Sequence, residues 1–68
     1  MTNTAYQIWE TFKAELTQPA TDDMKQALGN AIRVISSHIY RDGVLSNEPW
    51  LTHTAQELNE IADDVEAL

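Results

Sequence analysis

This 68-residue chain predicts an all-α fold, a small antiparallel three-helix bundle. Three observations carry the prediction. Apolar residues recur at helical spacing in three separate segments, helix start and stop signals bracket those segments, and no stretch alternates as a strand would. Amphipathic helices joined by short connections bury their apolar stripes against one another, which produces the bundle.

The first helix is expected over residues 4–17. Thr4 and Gln7 make a capping-box pair, each side chain placed to satisfy an orphan amide of the first turn. Ala5, Ile8, Trp9, Phe12 and Leu16 then share one face, and Pro19 ends the segment by disfavouring helical geometry in the residue before it.

A second, longer helix is expected over 22–41. Thr21 is its N-cap, and Asp22 and Asp23 set negative charge against the positive end of the helix dipole. Its buried stripe reads Met24, Leu28, Ala31, Ile32, Ile35 and Ile39. Gly43 is expected to stop it in the left-handed conformation. Gly29 costs a helix about 1 kcal/mol relative to alanine. The stripe keeps its phase there, so the expectation is one continuous helix with a close helix crossing at Gly29, beside the small Ala27 and Ala31. The alternative is a break, with Asn30 capping a new helix.

Residues 44–53 read as a connector folding back over the core, because Val44, Leu45, Trp50 and Leu51 are apolar. Within it, Glu48-Pro49 predicts a short turn of helix over 48–52. The last helix is expected over 55–67, opened by a second capping box of Thr54 and Glu57. Leu58, Ile61, Val65 and Leu68 form a narrow seam of coiled-coil type, with Ala55 and Ala62 alongside.

Length and composition bound the rest. Residues 1–68 make a single helical domain, and a chain this short buries only about 60% of the surface it exposes unfolded. Without cysteine there is no disulfide and no thiolate zinc site. Completion of the bundle by dimerisation, or very regular helix packing, is the expected source of further stability. A homodimer also suits the aromatic content, since the small interior has little room for two tryptophans. No segment reaches the roughly 18 apolar residues of a membrane helix. The opening Met1-Thr2-Asn3-Thr4 has neither basic residues nor a following apolar run, so no signal peptide is expected. A cytoplasmic location is the expectation.

The usual catalytic and metal-binding patterns are absent from the sequence. His38 and His53 lie on different elements, and His38 is expected half-buried at the edge of a stripe. His53 is expected just before a helix start, capping it or stacking on Trp50. Ser36, Ser37 and His38 are sequence neighbours, which point in different directions on a helix and cannot act as nucleophile and base. Asp22-Asp23 and Asp63-Asp64 lack the alternating ligands, glycine turn and closing glutamate of a calcium loop. Two glycines cannot build a phosphate cradle. Acyl carrier proteins, also small, acidic and helical, present an Asp-Ser-Leu for their prosthetic arm, and no such tripeptide occurs here. No catalytic residue, cofactor or metal is expected, and the chain reads as non-enzymatic.

Charge is the most informative feature. Acids outnumber bases 11 to 4, for a net charge of −7, which disfavours direct nucleic-acid binding and favours a protein partner with a basic surface. All four bases, Lys13, Lys25, Arg33 and Arg41, precede Asp42, and six acids follow it. Glu57, Glu60 and Asp64 share one exposed face of the last helix, where Glu60 and Asp64 repel at i,i+4. Asp63, Asp64 and Glu66 crowd the negative end of its dipole. These features predict an interaction module, an adaptor, inhibitor or regulatory subunit, docking through Glu57, Glu60 and Asp64. Trp50 and Tyr40 are the accompanying aromatic contacts. One alternative is a phage or mobile-element inhibitor that mimics nucleic acid against a host nuclease. Another is a purely structural oligomerisation unit, and solubility alone is the simplest account of the acidic face.

Overall fold

In the computed structural model, which describes residues 3–68, three helices follow in order: α1 (Asn3–Ala14), α2 (Asp22–Leu45) and α3 (Pro49–Ala67). Met1 and Thr2, on which part of the signal-peptide expectation rests, lie outside the described residues. α2 and α3 form an antiparallel hairpin packed along most of its length, and α1 lies mainly on α3. The molecule is elongated, 43 × 20 × 16 Å.

The α2–α3 seam is built from small residues. Gly29, Ser36 and Gly43 recur every seventh position on α2, and Ala55 and Ala62 do so on α3; all five are buried. A repeat of seven keeps one face of a helix toward its partner. Lacking bulky side chains there, the two backbones approach closely. A methyl group on Gly43 would lie 2.9 Å from Leu51 Cβ and 3.0 Å from the Thr52 amide nitrogen. One on Gly29 would lie 2.8 Å from Cγ and Cδ of Glu66. Between them, Ser36 Oγ donates a buried 2.6 Å hydrogen bond to the Ala55 carbonyl, so the one fully buried hydroxyl of the seam is satisfied.

α1 closes the other side of α3. Ala5, Ile32, Ala62 and Val65 form the core, with Ile8, Leu28, Leu58 and Ile61 packed against it. Trp9 is buried and stacks on Phe12, ring centroids 5.7 Å apart. Lys25 ties the three helices at one end: its ammonium sits 5.7 Å from the Trp9 ring centroid and donates to the Leu68 carbonyl at 2.8 Å.

Several boundaries differ from the sequence expectations. α1 already includes Asn3, so Thr4 lies inside the helix rather than capping it, and the helix ends at Ala14 rather than residue 17. Thr21 does cap α2, accepting from the Met24 amide at 3.3 Å. α2 is continuous through Gly29, and it continues past Gly43 to Leu45. Gly43 keeps a right-handed backbone because it serves the seam. The left-handed residue is Asn47, at φ 56°. Around it the Glu48 amide donates to the Gly43 carbonyl at 2.9 Å and the Asn47 amide to Val44 at 3.3 Å, the paired bonds of a Schellman cap.

The turn expected over 48–52 and the helix expected over 55–67 are one helix starting at Pro49. Thr54 therefore caps nothing, and its hydroxyl donates back to the Trp50 carbonyl at 2.9 Å. Val44 and Leu45 do not fold over the core; Leu45 is 77% exposed. The stripe of α2 is also turned from the one expected. Ala31 and Ile35 face outward, and His38 is exposed rather than half-buried, because the seam follows the small residues and not the large aliphatic ones.

Candidate functional site

On α3, Trp50, His53, Glu57, Glu60 and Asp64 fall on one face, since steps of three and four residues return to the same side of a helix. Trp50 starts the line in the first turn, 64% exposed. His53 is inside the helix rather than before it, and its Nε2 lies 2.9 Å from Glu57 Oε1. Glu57, Glu60 and Asp64 then converge with Ile61 and with Thr4 of α1 on a shallow depression between the two helices. Among the described residues, no lysine or arginine pairs with any of these three carboxylates.

Tyr40 is placed elsewhere. It is half-exposed and lines a separate depression with Arg33, Ser36, Ser37 and Asn59. Four of the five residues expected to bind a partner thus share one face, and Tyr40 is not on it.

The remaining acids of α3 are already engaged. Arg33 of α2 donates from Nη1 and Nη2 to both oxygens of Glu66, at 2.6 and 2.8 Å, and from Nη2 to Asp63 at 2.6 Å. A bidentate guanidinium–carboxylate pair is among the strongest hydrogen-bonded arrangements on a protein surface. Bonding to Arg33 holds the Glu66 carboxyl below the usual carboxylate range, against desolvation that pushes it up. The same two carboxylates raise the Arg33 guanidinium still further. With Lys25 on the Leu68 carbonyl, α2 supplies the cations that the end of α3 lacks.

Reading the sequence helix by helix missed this clamp. Its signal was present, though: Lys25 and Arg33 lie two turns apart on α2, and Asp63 and Glu66 lie one turn apart on an antiparallel neighbour. Among the described residues, no group of three or more His, Asp or Glu side chains is gathered so as to hold a metal ion. Nor is any described helix long and apolar enough to cross a membrane. The chain matches no protein-family model, no curated protein and no solved structure.

Proposed function

We propose that the chain is a non-enzymatic interaction module, an adaptor, inhibitor or regulatory subunit, whose α3 face docks on a protein partner with a basic surface. One observation carries the reading. Two acids of α3 share Arg33, whereas Glu57, Glu60 and Asp64 are gathered at one depression where, among the described residues, no lysine or arginine pairs with them. Gathering three carboxylates without a lysine or arginine costs the monomer like-charge repulsion, which a basic partner would remove. Trp50, on the same face, adds the large apolar surface that interface centres favour. Mimicry of nucleic acid is the less supported form of the idea. From Glu57 to Asp64 the acids cover only about 10 Å of helix, a span matching about three phosphates of one strand.

The test is a binding titration against the protein recovered with the chain from its source, using wild type and the triple variant Glu57→Lys, Glu60→Lys, Asp64→Lys. At low salt the variant should associate at least about tenfold more slowly, because complementary charge acts chiefly on the encounter rate. Wild-type binding should weaken as salt approaches molar concentration, where screening shortens to about 3 Å. Binding that ignores both salt and the reversal removes the reading.

A further inference from the structure

The face of α2 turned away from α3 is apolar along its centre. Ala27, Ala31, Val34, His38 and Leu45 line it at helical spacing, all exposed, with Ile35 on its edge. Val34 is 58% exposed, and nothing in the described chain covers the stripe.

Charge identifies what can cover it. The −7 of the chain is unevenly spread: α3 carries Glu57, Glu60, Asp63, Asp64 and Glu66 with no base. α2 carries Asp22, Asp23 and Asp42 against Lys25, Arg33 and Arg41, and is neutral. Its outer face is therefore, unlike α3, one on which two copies of an acidic protein can approach without net repulsion from the helix itself.

The flanking charges are also self-complementary. Asp23 and Arg41 stand 18 residues apart, five full turns, and so lie on the same edge of the stripe. Neither makes an ion pair among the described residues. In an antiparallel helix pair like edges meet, so each Asp23 can face the Arg41 of the other copy. That register puts the two-fold axis level with residues 31–33. It also sets each Val34 level with residue 30 of the other helix, in the hollow left by Ala27 and Ala31.

We propose that the outer face of α2 pairs with the same face of a second copy of this chain, antiparallel about an axis beside Ala31, with Asp23 of each opposite Arg41 of the other. The surface is distinct from the α3 face, so a basic partner and a second copy can bind together. A single helix pair falls in the interface class below about 1,200 Å², where association is weak.

Sedimentation equilibrium from roughly 1 to 500 μM tests it, a range that spans weak dissociation constants. Wild type should pass from monomer to dimer. Val34→Asp, at an exposed position, should keep its helical circular dichroism and stay monomeric. Arg41→Asp should weaken the dimer about tenfold, and adding Asp23→Arg should restore it, because the double exchange re-creates both pairs. In this cysteine-free chain, Ala31→Cys should cross-link to its own copy on oxidation, while Gln26→Cys, off the stripe, should not. A chain that stays monomeric throughout overturns the proposal and leaves the face to a different partner. A dimer indifferent to Val34→Asp and to the charge exchange overturns it equally.

Discussion

Arg33 draws consequences from a single guanidinium. It spans α2 and α3 by holding Glu66 with two hydrogen bonds and Asp63 with a third, and Gly29 leaves the space in which the Glu66 side chain lies. The Glu66 carboxyl is held below its usual range, so its contribution has a definite pH window. A group with a depressed folded value contributes fully above its unfolded value, about 4.3 for glutamate, and loses the contribution as pH falls through the folded value. Urea unfolding of wild type should therefore decline more steeply below about pH 4.3 than unfolding of Glu66→Gln, with the two curves drawing together as Glu66 protonates. Repulsion among the other acids relaxes over the same range in both proteins, so the difference between the curves isolates the pair. Parallel curves would show that the Arg33–Glu66 ion pair adds nothing to folding.

Between α2 and α3 the determining feature is the absence of side chains. Gly43 faces Leu51 Cβ and the Thr52 backbone, which cannot move without displacing the helix. Gly29 faces the flexible end of Glu66, which can swing away. Alanine at either site gains about 1 kcal/mol of helix propensity, but overpacking a tight contact costs about 1–3 kcal/mol. Gly43→Ala should accordingly lose stability in urea unfolding, and lose more than Gly29→Ala. The reverse order would mean that the seam is looser at its Gly43 end. The same seam explains what could be read in advance. Three helices, the Thr21 cap and the face of α1 follow from period and capping signals that are local. The rotation of α2 does not, because Ile35 looks like a core residue until Gly29, Ser36 and Gly43 are recognised as a repeat of seven with Ala55 and Ala62 opposite. Gly43 was equally ambiguous: glycine serves both a helix stop and a close crossing, and only the partner helix decides between them.

At the scale of the whole molecule, charge is sorted by helix: α2 is neutral and carries the cations that stabilise the end of α3, while Glu57, Glu60 and Asp64 of α3 pair with no lysine or arginine among the described residues. The grouping of these three was legible because it depends only on helical spacing within one element. That Asp63 and Glu66 are engaged, and that Tyr40 lies on another face, depended on the pairing of helices and was not. If the three acids serve docking, their arrangement should stand at the expense of folding, as binding surfaces commonly do. Reversing all three to lysine brings the formal charge from −7 to −1 and puts cations toward the negative end of the α3 dipole, while positions 60 and 64 still repel, now as two cations. The triple variant should therefore melt roughly a few degrees above wild type at low salt, given the small entropy of unfolding of a domain this size. Near molar salt the two midpoints should converge, because exposed charges are screened there. Thermal melts by circular dichroism at the two salt concentrations measure this directly, with no partner present. A variant that melts below wild type at low salt would mean that the acids support the fold, and the depression between α1 and α3 would then lose its standing as a docking surface.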